Sequence, residues 1–292
     1  RLVECSSADT VVTSDTDAPG PYAGTQYPFR RSKAGLINSE EATLETRKQA
    51  QLMKHFASVE DGVLAAPATL PAALDSLITR HERFLGDDLS KSRGLEIGCG
   101  VGGLAVKLGP KLLSYWGVDR SADDLSTARS LAQGDDISLY LADEGQLGSN
   151  INISIPEETN RSKYEFRCAD YLCMPPEMHG FDLVIVNDVL ADLVSPNALL
   201  GRLGGTRGLV MKGGLLIIAS SFRWQENKTP KSLWLGGYMS EAGDQTKSVD
   251  GLISRLEEDF TVIENQKIPT MWRTSMRDIE GCIYDVVVFQ RR

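Results

Sequence analysis

Apolar positions along the chain follow one period and then switch to another. From Asn38, NSEEATLETRKQAQLMKHFA places Leu44, Leu52, Met53 and Phe56 at helical spacing behind an N-cap residue and early acids. A second helical pattern, LPAALDSLITRHERFL, begins at Leu70. Together they predict a helical cap over residues 36–90. Seven apolar runs of strand character follow: RGLEIGC, YWGVD, YEFRCAD, FDLVIVND, GGLLIIASS, FTVIENQ and IYDVVVFQRR. Helical stretches separate most of them: GGLAVKLGPKLL, SADDLSTARSLAQ behind a Ser cap, SPNALLGRLGGTRGLV and VDGLISRLEEDF. Strands alternating with helices imply an α/β, doubly wound, mostly parallel sheet covered on both faces. The last two runs are joined by a helix-free loop of about 15 residues, KIPTMWRTSMRDIEG, which predicts an antiparallel last strand. Residues 138–160 interrupt the alternation as an inserted hairpin or loop. Residues 1–35, rich in Ser, Thr, Asp, Gly and Pro, read as a flexible tail that Tyr22, Tyr27 and Phe29 could pin to the body.

Composition narrows the function classes. The 292 residues, 41% hydrophobic and 24% charged, are those of a globular protein with ample core. A net charge of −9 argues against a nucleic-acid partner that depends on phosphate neutralisation. No apolar stretch approaches the roughly 20 residues that span a bilayer, so no membrane partner is expected. The five cysteines are odd in number and scattered; only Cys168 and Cys173 are close, with no histidines nearby. That pattern fits reduced thiols in the cytoplasm, without a metal site. The chain starts at Arg1, which leaves room for a processed targeting segment ahead of it.

Candidate chemistry begins with LEIGCGVGG, a strand, a tight glycine turn and a helix start. Glycine lets the backbone approach a ligand closely there, and the helix start presents amide groups. Asp119 ends the next strand, 21 residues after Gly98, at a spacing suited to the hydroxyls of a ribose. The glycines also satisfy the dinucleotide pattern literally, with Gly103 third, so their count does not choose between cofactors. Glu96 does, because its charge would repel a pyrophosphate while suiting a cationic amino-acid moiety or ordering the loop.

Glu-x-Gly-x-Gly-x-Gly before a strand ending in Asp resembles motif I of class I S-adenosylmethionine-dependent methyltransferases. RCAD and FDLVIVND resemble that family's adenine-contacting and fourth-strand segments. The resemblance implies a Rossmann-like seven-stranded sheet, with the methyltransferase domain at 91–292. S-adenosyl-L-methionine would be the cofactor, S-adenosyl-L-homocysteine the product, and no metal is needed. It implies cofactor contacts from Glu96, Gly98, Cys99, Gly100, Gly102, Asp119, Arg120, Ala169, Asp170, Tyr171 and Asn187.

The loop after the fifth strand, SSFRWQENKTPKSLWLGGY, carries two tryptophans and two consecutive glycines where a connection is usually short and polar. It is similar to the W…E…TP…WLGG[YF] segment of the methyltransferases of ovothiol biosynthesis, which act on 4-mercaptohistidine (5-thiohistidine). IPTMWRTSMRDIEGCIYDVVVFQRR is similar to that family's ending, and the likeness covers about residues 94–292. The family's tyrosine-rich N-terminal segment has no counterpart, and Gly103 stands where arginine is common. This resemblance implies methylation of an imidazole nitrogen of a small-molecule substrate to give ovothiol A. A separate sulfoxide synthase and lyase would supply the thiolated histidine. Trp224, Trp234, Gly237 and Tyr238 would hold the ring, and Arg273 and Arg277 the carboxylate. Asn187, Asp188 and Tyr238 would orient the nucleophile, and Asp188 could alternatively hold the substrate amine. His55, His81 and His179 read as solvated or capping residues. A methyltransferase for another small amino acid, imidazole or thiol, an NAD-dependent oxidoreductase and a degenerate binding scaffold remain as rival readings.

Overall fold

The computed structural model describes residues 39–59, 68–86, 88–155, 157, 160–240 and 243–292. The tail expected over 1–35 and the cap positions 36–38 and 60–67 lie outside the described residues. The chain groups into two compact units, 1–49 and 50–292. The first contributes the opening turns of helix α1 (Ser39–Phe56), and all that follows concerns the second.

In chain order the remaining elements are α2 (Leu70–Arg80), β1 (Arg93–Ile97), α3 (Gly103–Leu108), β2 (Ser114–Asp119) and α4 (Ala122–Gln133). The hairpin β3 (Ile137–Ala142) and β4 (Gly148–Ile153) follows, then β5 (Tyr164–Cys168), β6 (Phe181–Asn187), α5 (Pro196–Leu203) and β7 (Val210–Ser220). The chain ends with the short β8 (Tyr238–Met239) and β9 (Gln245–Thr246), α6 (Ser248–Leu256), β10 (Phe260–Arg273) and β11 (Ile279–Arg291). Seven strands form one sheet in the order β10-β11-β7-β6-β1-β2-β5. Neighbours from β7 to β5 are parallel, and β11 runs antiparallel to both β7 and β10. The doubly wound, mostly parallel sheet with an antiparallel last strand is therefore as the alternation predicts.

Alternate residues of each central strand enter opposite cores, because side chains change face at every step. In β7, Leu215, Ile217 and Ala219 join α2, α3 and α4 on the first face. Leu216 and Ile218 join α5, α6 and Leu235 on the second. Strands buried on both faces must be apolar throughout, which is why GGLLIIASS carries no alternation. Ser121 caps α4 by accepting from the Asp124 amide at 3.2 Å.

Two expectations are corrected. The helix predicted over SPNALLGRLGGTRGLV stops at Leu203, because Gly204 and Gly205 follow and Gly205 adopts φ 77°. The long loop predicted before the last strand is mostly strand: β10 and β11 stay paired as far as Arg273–Ile279, leaving only residues 274–278 as the turn. Pairing with β7 covers only Asp285–Gln290, so the rest is a two-stranded ribbon extending past the sheet. Its outer edge is held by Arg273 donating to the Ala57 carbonyl and Met271 to that of Ala68. The 138–160 insertion is a hairpin, as expected, and Met276 at the ribbon's turn donates to Ala142 within it.

Phe289 on β11 is buried edge-on against Phe260. Phe289→Ala should cost about 3–5 kcal/mol. Ile283→Ala, on the exposed part of the same strand, should stay within about 0.5 kcal/mol. Urea unfolding of both variants checks the contrast.

Candidate functional site

The order of the sheet reverses at β1, whose neighbours β2 and β6 lead the chain to opposite edges, and ligands bind outside such a point. The loop leaving β1 there is wedged tightly. A Cβ on Gly98 (φ 87°) would sit 2.4 Å from Val189 Cγ1 and 2.7 Å from the Asn187 carbonyl oxygen. One on Gly102 (φ 86°) would press on α4 at Ala128. Only glycine combines these positive φ angles with that closeness.

Five amides of the loop already have partners. Gly98 and Cys99 donate to the Val118 carbonyl, and Gly102 to that of Cys99. Gly100 donates to Asp119 Oδ2 at 2.9 Å, and Gly103 to His55 Nδ1 at 3.2 Å. The His55 ring, carried by α1, thus lies where a pyrophosphate would need the start of α3. This arrangement disfavours a dinucleotide, although the glycine spacing permits one.

Glu96 is fully buried beneath the loop. Its Oε1 accepts from Asn187 Nδ2 at 2.7 Å, and its Oε2 accepts from the Tyr115 hydroxyl. Burial pushes its carboxyl up to about 7, against the pull of these two donors. Glu96 therefore fixes β2 and β6 around β1 and would reach a ligand through Asn187. Asp119 is half-buried, with Oδ1 on the Ser121 amide at 2.9 Å.

The other residues expected at the cofactor divide by environment. The Cys99 thiol is buried, within 2.8 Å of where a Gly117 Cβ would stand, so only its backbone can face a ligand. Arg120 lies over the Tyr171 ring at 5.3 Å, and Tyr171 itself is buried in the second-face core. Ala169 donates to the Asp119 carbonyl. Asp170 accepts from the Leu172 amide at 3.0 Å, the turn-capping role that an acid after a strand often takes.

Asp188 follows β6 with φ 52°, in the left-handed region that Asp tolerates better than most side chains. Its Oδ1 accepts from both the amide and the hydroxyl of Ser221 at 2.8 Å. Its Oδ2 faces Lys54 Nζ at 3.8 Å. Lys54 Nζ lies 5.9 Å from the ring centroids of both Trp272 and Tyr284. Lys54, His55, Ser221, Trp272 and Tyr284 were not picked out as site residues from the sequence. Only the pairing of the strands and the path of α1 bring Lys54, Ser221, Trp272 and Tyr284 to Asp188 and His55 to the glycine loop.

The aromatic loop is braced by its own side chains. Trp224 and Trp234 stack on each other, 6.0 Å between centroids and 15° between planes. Their indole N–H groups donate to Ser248 Oγ and the Thr229 carbonyl, each at 2.8 Å. The pair braces the loop against α6, and each ring spends one face on the other while staying half-buried. Gly237 and Tyr238 line a cavity of about 770 Å³ with Phe222, Lys247, Lys267 and Asp285. No glycine-loop residue lines it. Asp285 lies between Tyr284 and Val286, both of the first-face core, so it points to the second face. Lys54 and the two rings it overlies are on the first. The arginines are likewise committed. Arg277 pairs with Asp143 at 2.8 Å and Glu144 at 3.0 Å in the hairpin turn, while buried Arg273 donates to the Met276 carbonyl at 2.7 Å.

A family model described as a methyltransferase domain matches residues 71–257, more than half of the chain. The chain belongs to that methyltransferase-domain family. No curated protein matches it. Among solved structures similar to this methyltransferase-domain chain is the N-methyltransferase NodS of Bradyrhizobium japonicum WM9, in complex with S-adenosyl-L-homocysteine. It is 18% identical, with 84% of this chain and 98% of that one covered and a TM-score of 0.43. Magnesium protoporphyrin IX methyltransferase of Synechocystis PCC 6803 with bound SAM is 15% identical, with 84% and 97% covered and a TM-score of 0.43. Among the described residues, no group of three or more His, Cys, Asp or Glu is placed to hold a metal. None of their helices is long and apolar enough to cross a membrane.

Two buried groups of this methyltransferase domain set opposite pH responses. Burial, reinforced by the Lys54 charge, lowers His55 from 6.5 to about 3. Between those values the unfolded chain takes up a proton that the folded chain refuses, so stability falls as pH drops through the window. Glu96 is raised from 4.5 to about 7, so there the folded chain keeps a proton that the unfolded chain releases. Its contribution is full below the lower value and fades as pH rises through the upper one. In urea unfolding across pH, His55→Asn, whose side-chain oxygen can still accept from Gly103, should flatten the acid decline. Glu96→Gln should flatten the decline towards neutrality. A decline as steep as the parent's in either variant removes that assignment.

Proposed function

We propose that the chain is an S-adenosylmethionine-dependent N-methyltransferase whose acceptor is an imidazole nitrogen of 5-thiohistidine, the product being ovothiol A. The observation that carries the cofactor reading is the loop itself. Five of its amides are taken by protein acceptors, the Asp119 carboxylate stands beside it, the buried Glu96 carboxyl lies beneath it, and His55 covers its helix start. Such a surface suits a phosphate-free, cationic nucleoside. The positive-φ glycines leave backbone rather than side chain to meet the ligand, and Asp119, beside the loop, is the acid we assign to the ribose hydroxyls. S-adenosylmethionine, when bound there, supplies a methyl group on a sulfonium that departs as the neutral thioether.

Protein residues then have to align and orient. Asn187, fixed by Glu96, marks the methyl end of the site. Asp188, fixed by Ser221, can accept a hydrogen bond from the acceptor, either from its ring N–H, so choosing which nitrogen presents its lone pair, or from its amine. A strong base is not required, because an ordinary imidazole with pKa about 6.5 is largely neutral near pH 7. As the nitrogen–carbon bond forms and the carbon–sulfur bond breaks, the ring becomes cationic and returns its other N–H proton to solvent. Alignment of this kind can supply about 7–11 kcal/mol of barrier reduction. The choice of 5-thiohistidine rests on the resemblance of residues 94–292 to the ovothiol methyltransferases. In this reading the protein is cytoplasmic, and a separate sulfoxide synthase and lyase provide the thiolated histidine.

Calorimetric titration with S-adenosylmethionine, followed by mass analysis with 5-thiohistidine, tests both parts. Binding and a product heavier by one methylene unit are expected. Asp119→Ala should weaken cofactor affinity by about tenfold or more, since hydrogen bonds to a charged group contribute about 1.5–3 kcal/mol. Unchanged affinity removes the ribose assignment. Tight binding without the product keeps the cofactor and moves the acceptor to another small amino acid, imidazole or thiol.

A further inference from the structure

The surroundings of Lys54 describe a cation site that the chain itself fills. Asp188, Trp272 and Tyr284 come from three separate strand regions, yet all three converge on one ammonium group. A carboxylate with two aromatic rings is the donor set that recognises an organic cation. The set is also rigid. Ser221 holds Asp188 with two hydrogen bonds, Trp272 is 8% exposed and Tyr284 1%.

The occupant, in contrast, is loosely held. A separation of 3.8 Å exceeds hydrogen-bonding distance, and 5.9 Å to each ring is near the outer limit for a cation–π contact. Lys54 is also 31% exposed on a flexible stem, so it can leave at small cost. The placement is telling as well. Asn187, adjacent to Asp188, bonds Glu96 beneath the glycine loop, and His55, adjacent to Lys54, bonds the loop directly. The cage therefore adjoins the glycine loop on the first face of the sheet.

We propose that the Asp188–Trp272–Tyr284 cage binds an alkylammonium group of the methyl acceptor, with the Lys54 side chain as a resident cation displaced by it. The inference rests on the methyltransferase reading and deepens it, because it assigns the acceptor to the class of amines and amino acids carrying a cationic nitrogen. It also replaces Arg273 and Arg277 as the principal polar contacts of the acceptor with a carboxylate that reads its ammonium end.

The probe is tetramethylammonium chloride, titrated calorimetrically at constant ionic strength into the parent, Lys54→Met and Lys54→Met/Asp188→Asn. Removing the resident cation should tighten probe binding by about tenfold, the scale of one desolvated cation–π and carboxylate contact. The second substitution should remove the gain. Equal or weaker binding in Lys54→Met, or a gain that survives Asp188→Asn, overturns the proposal. Lys54→Arg, which retains the charge for α1, covers the event that the Met variant fails to fold. Its planar cation should fill the cage and exclude the probe, and binding as strong as the parent's counts against the cage. Parallel titration with S-adenosylhomocysteine separates the two readings. Failure of that ligand alone removes the methyltransferase assignment, while failure of the cation alone removes the cage.

Discussion

The site depends on one buried carboxyl group. Glu96, next to last in β1, has no exposed surface, and its two oxygens take donors from β2 and β6, the strands on either side. Burying a carboxyl is costly, and the cost is met only where partners are already in place. Tyr115 and Asn187 satisfy it jointly, which ties the carboxyl ends of β1 and β6 and the start of β2 to one geometry. The glycine loop starts from that fixed point, and its turns fit because β6 and α4 come within a Cβ radius of it. The same bond fixes Asn187, and with it the starting direction of the left-handed backbone at Asp188.

A second layer of the structure converges on that frame from elements distant in sequence. The ribbon of β10 and β11 extends past the sheet and takes Ala57 and Ala68 onto its edge, which sets the course of the chain around the end of α1. Consecutive residues of that helix then serve different partners, His55 the glycine loop and Lys54 the Asp188 carboxylate. Neither contact is local, and each closes a long stretch of chain. The second face works differently: stacked tryptophans and α6 shape a loop and a separate cavity, so the aromatic segment braces the fold there.

How much of this was legible follows from the range of each interaction. Strand and helix positions were readable because burial on both faces forces continuous apolar runs, and a cap such as Ser121 acts within three residues. The glycine turn and Asp119 were readable because the turn, the strand and the acid follow one another in the chain. The extent of the last two strands was not, because Pro269 and the charged positions of KIPTMWRTSMRDIEG look like a loop until cross-strand pairing gives their backbone groups partners.

By itself, then, the sequence determined the alternating architecture, the glycine loop at the sheet's reversal and the acid beside it, all consequences of backbone conformation and local burial. Only the tertiary structure decided what each polar or aromatic side chain faces. It turned Arg277 to the hairpin acids, Trp224 to Trp234, His55 to Gly103 and Lys54 to Asp188. The physical reason is that a side chain's charge or ring is written in its residue type, whereas its partner is chosen by packing between segments that may be two hundred residues apart.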